Sequence, residues 1–302
     1  MRVDLHRLIF KRQTVSAVCL FFALFTALTA PLAAQSRLNR PVPRYLQLTA
    51  PDQQVGAELL REVRSAGPSG GYYFEFELRV LPRRGDEVRI PGRLWGARNS
   101  DGPVTRLLLQ GRPAAKAAEY RVLVQGGSRP AAWQWPAADG SSTVAIDDGA
   151  LFTPLAGTDL SVFDLQMPFL FWNDFVYEGV TRLRGRPAST FLLYPPAAIA
   201  LRRPELLAIR VYLDSQFNAL VQAEQLGDKE QILKSMRVVE LKKISDQWIV
   251  KTVELRDETT RNKTRFVVTA AALGLDFAGG LFEPGSLPSA IRPPDKLIRL
   301  GD

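Results

Sequence analysis

Tyr72-Tyr73-Phe74-Glu75-Phe76-Glu77-Leu78-Arg79-Val80 is the stretch of sequence that decides the fold. Every even-numbered position from 72 to 80 is aromatic or aliphatic, whereas positions 75, 77 and 79 are charged. A period of two places all the even-numbered side chains on one face of an extended chain. The stretch therefore predicts a β-strand of an antiparallel sheet that buries one face.

Shorter strand-like stretches follow along the chain, separated by turn clusters such as Asn99-Ser100-Asp101-Gly102. Because most of the connections are short, neighbouring strands are expected to pair in antiparallel fashion. These predicted strands are 87–95, 104–110, 119–125, 133–135, 143–146, 179–184, 189–194, 207–214, 219–225, 231–244, 247–256 and 264–270.

Helices are few in the predicted fold. One helix with a single apolar stripe is expected at 52–66, where Thr49 or Asp52 can cap its first turn. A second, short helix is expected to start at Ser161, because Asp164 three residues later resembles a capping box.

Residues 1–34 have the pattern of a secretory signal peptide. Four cations precede an apolar run from Val15 to Ala30, and the small residues that follow predict cleavage after Ala34. An uncleaved membrane anchor is the alternative, because the apolar run is close to the shortest length that spans a bilayer. Both interpretations place the remainder outside the cytoplasm, so we expect a periplasmic protein that is membrane-associated if the segment is retained.

Cleavage of the signal would remove much of the chain's potential for catalysis. Its only cysteine, Cys19, and its only histidine, His6, both lie in the predicted signal. The remainder would contain no disulfide, no histidine or cysteine metal site and no Ser-His-Asp triad. We therefore expect no catalytic residues, no bound metal and no cofactor.

The net charge of the chain says little about which partners it binds. Its formal net charge is +8, and four of its cations lie in the predicted signal. The remaining excess is compatible with an acidic partner such as phospholipid headgroups, although a solvated basic surface explains it equally. Nucleic acid is not expected as a partner, because the chain has no basic helix or aromatic-basic platform.

The sequence contains no internal repeat and no low-complexity linker. We expect a signal peptide at 1–34 and an extended lead-in at 35–50. A single β-rich domain is expected at 51–290, followed by a C-terminal tail at 291–302.

Three pairs of carboxylates are the only candidates for acid–base catalysis: Asp147 with Asp148, Asp159 with Asp164, and Asp174 with Glu178. Each pair also has an ordinary structural explanation: a turn before Gly149, a helix cap and a solvated loop respectively. We favour the structural explanation for all three.

Large apolar side chains are concentrated in a few places, and they suggest another kind of site. An antiparallel sheet that helices cover incompletely would leave a cavity, and an apolar cavity holds a hydrocarbon chain without any charged residue. The alternative is that these side chains simply form the core. The residues expected to line such a lipid-binding cavity are Tyr72, Phe74, Phe76, Leu78, Trp95, Trp133, Trp135, Phe171 and Trp172.

The stretch Gly157-Thr158-Asp159-Leu160-Ser161-Val162-Phe163-Asp164-Leu165 resembles a motif of the outer-membrane lipoprotein-sorting-protein-like family, relatives of LolA and LolB. A tryptophan-bearing strand precedes that motif in the family, and Trp133-Gln134-Trp135 takes its place here. The resemblance covers about 126–287. Further stretches follow in the family's order: Gly185-Arg186, Phe191–Pro195, Arg210–Asp214, Lys234, Trp248–Val250, Asn262–Thr264 and Leu281–Pro284.

The resemblance implies an α+β, mainly β, fold in which a strongly curved antiparallel sheet forms an incomplete barrel with a few helices on its concave side. It also implies a non-enzymatic periplasmic protein that binds a lipid or the acyl chain of a lipoprotein. The family often has a cysteine in the strand after Gly185-Arg186, and 187–190 contains none.

Two other functions remain open from the sequence. An envelope sensor or scaffold, as in RseB-type regulators, would use the same fold to bind a protein partner. A carboxylate-dependent hydrolase of envelope sugars would need two acidic side chains that face each other across a cleft.

Overall fold

The computed structural model describes residues 40–43, 50–111, 119–136 and 142–301. The predicted signal peptide and most of the predicted lead-in lie outside the described residues. Residues from Pro41 onward belong to one unit.

Fourteen strands make up a single antiparallel sheet in the described part of the chain. Nearly every stretch with a period of two in the sequence forms one of them, although several strands extend beyond the predicted ends. The strands are β1 (Gly71–Leu81), β2 (Val88–Asn99), β3 (Gly102–Gln110), β4 (Glu119–Gln125), β5 (Ala131–Pro136), β6 (Val144–Ala145), β7 (Phe175–Leu183), β8 (Arg186–Leu193), β9 (Ala208–Asp214), β10 (Ala219–Leu226), β11 (Ile232–Ile244), β12 (Gln247–Asp257), β13 (Lys263–Leu275) and β14 (Ile298–Arg299).

The sheet consists of two meanders joined at its centre. Its order is β6-β5-β4-β3-β2-β1-β13-β12-β11-β10-β9-β8-β7, and β14 pairs separately with β13. The pairing of β1 with β13 joins the first meander to the second along the whole length of β1. Strands β6 and β7 are the two ends of this order and do not pair with each other, so the sheet is open.

The apolar face predicted from β1 is the inner face of the sheet. Phe76 and Leu78 are only 1% and 0% exposed there. The same cluster continues on the second meander, where it includes Val211 of β9 and Val268 of β13. One apolar core therefore runs across both meanders.

In the described ranges, three α-helices accompany the sheet: α1 (Gln53–Ser65), α2 (Val162–Gln166) and α3 (Ala197–Arg202). Each contributes a buried side chain to the inner core, namely Leu60, Phe163 and Ile199 respectively. The expected α+β, mainly β, fold with a few helices on the concave side of an antiparallel sheet is confirmed.

Helix α1 begins as predicted, and most of its apolar stripe faces the inner core. The Asp52 side chain caps it by accepting a hydrogen bond of 2.8 Å from the backbone N–H of Gln54. Leu59 and Val63 pack against the core beside buried Leu60, whereas Val55, one turn earlier, is exposed. The helix lies so close to β7 that a Cβ atom at Gly56 would be 2.5 Å from Cβ of Tyr177.

The outer face of the first meander is covered as well. Residues 276–300 pack against it through an apolar cluster that includes Tyr73 and Phe277. Arg106 of β3 is buried there and fastens this segment, because its guanidinium donates hydrogen bonds of 2.8 Å to Oγ of Ser286 and 2.7 Å to the carbonyl oxygen of Ser289.

The last described residues, within the predicted C-terminal tail at 291–302, pack on the sheet. Strand β14 lies in this segment and pairs with β13. Leu300 is buried in the inner core. The described part of the predicted tail therefore belongs to the folded domain.

Glycines in β2 make room for the aromatic side chains of β1. The ring of Phe76 lies over Gly92, where a Cβ atom would be 2.3 Å from Cζ of the ring. The ring of Tyr72 lies over Gly96 in the same way, at 2.1 Å. Because these two positions share the inner face of β2, Trp95 between them must point to the outer face.

We expect the Gly92→Ala variant to lower the free energy of unfolding by about 1–3 kcal/mol, the usual cost of overpacking a filled core. The added methyl group has no space, because the ring of Phe76 is itself buried. Urea denaturation followed by circular dichroism measures the change. Gly280→Ala is the control, since nothing lies within 4 Å of a Cβ atom there. Equal stability of the two variants would contradict this packing.

Candidate functional site

Four of the nine residues predicted to line a cavity lie on the inner face of β1. Tyr72, Phe74, Phe76 and Leu78 all belong to or pack against the inner core. They are covered by the protein's own side chains: the ring of Phe76, for example, stacks on that of Phe266 with centroids 4.2 Å apart. These four side chains therefore pack against other side chains of the inner core.

Three other predicted residues, Trp95, Trp133 and Trp135, lie on the opposite face of the sheet. Trp95 packs against Tyr73, with ring centroids 5.2 Å apart. Trp133 and Trp135 pack in the cluster around Leu287, which belongs to the segment 276–300. The structure does not bring these tryptophans together with the inner residues of β1, because both faces of the first meander bury apolar side chains.

The concave side is filled mainly by the segment that connects β6 to β7. Phe163 of α2 is the centre of this filling and is fully buried. Its ring contacts those of Phe152, Phe169 and Trp172, at centroid distances of 4.4, 5.9 and 6.3 Å. We call residues 150–172 the core segment.

The capping box predicted at Ser161 is present and starts α2. The backbone N–H and the hydroxyl of Ser161 donate hydrogen bonds of 2.8 and 2.6 Å to Oδ2 of Asp164. Because both residues are buried, this cap fixes the start of the helix inside the barrel.

Lys234 of β11 ties the core segment to the second meander. Its Nζ lies 2.5 Å from Oδ2 of Asp164 and 2.5 Å from the carbonyl oxygen of Asp159. Thr264 of β13 adds a second tie, donating a hydrogen bond of 2.8 Å to Oδ2 of Asp159. We call Asp159, Ser161, Asp164, Lys234 and Thr264 the polar latch.

Burial raises the pKa of Asp159, and the hydrogen bond from Thr264 and the charge of Lys234 oppose that rise. The carboxylate is thus held in place by the latch. Asp159 and Asp164, considered above as an acid–base pair, both have structural partners here.

The other candidate carboxylate pairs are also engaged in local structure. Asp147 accepts a hydrogen bond of 2.8 Å from the backbone N–H of Ala150 and so closes a turn. Glu178 is buried against Arg210, whose Nε lies 2.9 Å from Oε2 of the glutamate. The turn predicted before Gly149 fits the contact of Asp147, whereas Glu178 lies buried in β7 and not in the solvated loop that the sequence suggested.

A pocket of about 450 Å³ lies where the two ends of the sheet fail to meet. One wall comes from β5 and the residues after β6, and the facing wall from the residues before β7 and after β8. The core segment forms its base, with Phe171 and Trp172 the two predicted residues that line it. The lining consists of Gly127, Ser128, Pro130, Ala131, Ala132, Ile146, Asp148, Leu151, Gln166, Pro168, Phe171, Trp172, Asn173, Asp174, Tyr194, Pro196, Ala198 and Ile199.

The walls of this pocket are anchored by side-chain hydrogen bonds to the backbone. Gln166 donates from Nε2 to the carbonyl oxygens of Gln125 and Ala131, at 2.9 and 3.2 Å. Arg64 of α1 donates to the carbonyl oxygens of Leu170 and Trp172, at 2.6 and 2.9 Å. These bonds hold both walls of the pocket in place.

A smaller cavity of about 210 Å³ lies beside the polar latch. Asp159, Lys234, Arg203 and Asp257 are among its lining residues. Its charged lining suits a hydrocarbon chain far less than the apolar pocket does. Within the described ranges, no group of three or more histidine, cysteine, aspartate or glutamate residues could hold a metal ion.

Comparison with known proteins identifies the fold. No protein-family model matches the sequence, and no curated protein matches it either. Solved structures do match. An outer-membrane lipoprotein-sorting protein domain from Vibrio parahaemolyticus has a TM-score of 0.66 at 16% identity, over 78% of this chain and 99% of that one.

Two further structures are similar over the same share of this chain. A DUF1329 family protein from Desulfovibrio piger has a TM-score of 0.65 at 16% identity, over 98% of its own length. A LolA superfamily protein from Nitrosomonas europaea has a TM-score of 0.55 at 13% identity, also over 98%. The chain therefore has the LolA-like fold that the resemblance implied. Among the described residues, no helix has the length and apolarity needed to cross a bilayer.

We expect the Lys234→Met variant to lower the free energy of unfolding by roughly 3–5 kcal/mol, the usual cost of leaving one partner of a buried ion pair alone. Asp164 would keep its capping bonds but lose its cation. Chemical denaturation measures the loss. The control is Asp295→Asn, because its ion pair with Arg292 is highly exposed and should contribute about 0–1 kcal/mol. A loss no larger than in the control would show that the latch does not hold the core segment.

Proposed function

We propose that this chain, with its LolA-like fold, is a non-enzymatic binding protein that shelters an acyl chain of a lipid or lipoprotein. The binding site would be the pocket between the two ends of the sheet. The further proposal that the protein is exported to the periplasm is supported by the signal-like sequence of residues 1–34.

The pocket is the single observation that carries this proposal. Its volume of about 450 Å³ lies within the roughly 300–1,000 Å³ of most small-ligand sites. Leu151, Phe171, Trp172 and Ile199 supply apolar walls, and it is open to solvent between two strands that do not pair. A tail that buries about eight methylenes would gain roughly 6 kcal/mol from burial.

The residues proposed to contact the acyl chain differ from most of those expected from sequence. Phe171 and Trp172 remain, and Leu151 and Ile199 join them. The inner residues of β1 belong to the buried core and do not line the pocket. Trp95, Trp133 and Trp135 lie on the outer face and are not part of the proposed site.

We propose in addition that the protein is not an enzyme. One support is that the carboxylates of Asp159 and Asp164 are bound by Thr264 and Lys234 within the latch. The pocket's own lining contains Asp148 and Asp174 but no histidine, cysteine or lysine. Such a lining suits apolar contact better than nucleophilic or acid–base chemistry.

Titration of delipidated protein with a fluorescent fatty acid tests the proposal, because it measures the affinity for an acyl chain. We expect the wild-type chain to bind the probe and Ala198→Trp to weaken binding by about tenfold or more, since a bulky ring would take the place of methylenes worth over 1.4 kcal/mol. Ala198 lines the pocket but is itself exposed, so the substitution leaves the core intact.

The matched control is Ala197→Trp, at an exposed neighbour on α3 that does not line the pocket. Its affinity should stay within about twofold of wild type. Equal affinities of the two variants would place the acyl chain elsewhere. A wild-type protein that takes up no acyl probe, but captures one protein at a fixed stoichiometry, would favour the sensor or scaffold.

A further inference from the structure

Two aromatic side chains stand out because the protein leaves them in solvent. Phe217 and Trp248 are 62% and 61% exposed, and they are the only exposed phenylalanine and tryptophan among the described residues. Both lie at the tips of β-hairpins: Phe217 between β9 and β10, and Trp248 at the start of β12.

These tips lie at the same end of the sheet. Asp214, the last residue of β9, pairs with Ala188 of β8 and with Ala219 of β10, so the β7–β8 and β9–β10 tips are adjacent. Strand β11 pairs with β10 and continues past the start of that strand, which brings the β11–β12 tip to the same end. We call residues 180–187, 214–218 and 241–248 the hairpin-tip surface.

The β11–β12 tip projects beyond its neighbours. Pairing of β11 with β10 begins at Arg237, and pairing of β12 with β13 ends at Thr252. Past that point β13 pairs with β14 instead. Residues 238–251 are thus a two-stranded ribbon flanked by neither sheet neighbour in the described ranges.

This ribbon has one buried face and one exposed apolar face. Ile244 and Ile249 are buried in the inner core. The register pairs Lys243 with Trp248 and Leu241 with Val250, which places these four side chains on the other face. Leu241 and Trp248 are therefore displayed together, with a lysine beside them.

Phe217 is displayed by an ordered turn rather than by a frayed loop. Oδ1 of Asp214 accepts hydrogen bonds from the backbone N–H groups of Gln216 and Phe217, at 2.9 and 3.2 Å. Asn218 donates bonds of 2.9 Å to the carbonyl oxygen of Leu59 and to the carboxylate of Glu62. These contacts hold the phenyl ring outward.

The charge around the exposed aromatics is positive. Five cations lie on the hairpin-tip surface, against Asp214 and Asp246. Glu62 of α1 adds a third carboxylate nearby, so five cations against three carboxylates leave a net charge of +2; Arg186 pairs with Asp214 and Lys243 with Asp246. The cations are Arg182, Arg184, Arg186, Lys242 and Lys243.

We infer that the hairpin-tip surface docks on an anionic lipid bilayer. Tryptophan is favoured at the boundary between headgroups and acyl chains, and arginine and lysine are attracted to anionic headgroups. Isolated apolar tips on separate hairpins suit a soft, flat surface into which each can insert. This inference does not depend on the pocket or its ligand.

Vesicle sedimentation of the full chain tests the inference. All the variants carry the same N-terminal segment, so a difference in binding between them reports on the hairpin-tip surface. Vesicles of phosphatidylglycerol and phosphatidylcholine should bind the wild type at least about tenfold better than phosphatidylcholine alone, and salt should weaken the binding. The Phe217→Ser/Trp248→Ser double variant should lose most of this binding. Leu201→Ser, at a more exposed leucine outside the tips, should leave it unchanged.

A second readout reports insertion directly and needs only one conservative variant at an exposed position. Brominated lipids should quench the fluorescence of wild-type Trp248, the exposed tryptophan among the five of the chain, and a Trp248→Phe variant should lose that quenching. Absence of quenching, or equal vesicle binding by the double variant and the wild type, would overturn the inference. The inference would also be overturned if the Phe217→Ser/Trp248→Ser substitutions altered self-association or protein capture but left vesicle binding unchanged.

Discussion

The whole architecture follows from the fact that the two ends of the sheet, β6 and β7, do not pair. A closed barrel would satisfy both edges, whereas this open sheet leaves a concave apolar face that something else must cover. The chain covers it with the connection between those same two strands, with Phe163 at its centre. The pocket is the part of the gap that this connection leaves unfilled.

Covering the concave face of the sheet with an irregular segment brings backbone and carboxylate groups into an apolar interior, where each needs a hydrogen-bond partner. The polar latch supplies such partners, since Asp164 is satisfied by its own helix cap and by Lys234. Thr264 is fully buried and serves Asp159 in the same way. Buried polar groups are tolerated when each has partners, and then they fix one arrangement of the segment.

Much of the fold could be predicted from the sequence because strand alternation is local. The faces of β1, the start of α1 and the capping box at Ser161 all depend on residues a few positions apart. The outward position of Trp95 could not be predicted from aromatic content, since both faces of the first meander are apolar. Gly92 and Gly96 were the available signal: glycines opposite large rings mark the inner face of β2.

The candidate site was harder to predict because it depends on contacts between distant parts of the chain. Lys234 meets Asp164 across 70 positions, and Thr264 meets Asp159 across 105. No local pattern reveals such contacts, or which hollow they leave empty.

A crystal structure with a bromine-labelled alkyl ligand tests the proposed binding site most directly. We expect anomalous bromine peaks between Leu151, Phe171 and Ile199, whereas peaks beneath the core segment beside Phe76 and Leu78 would contradict it.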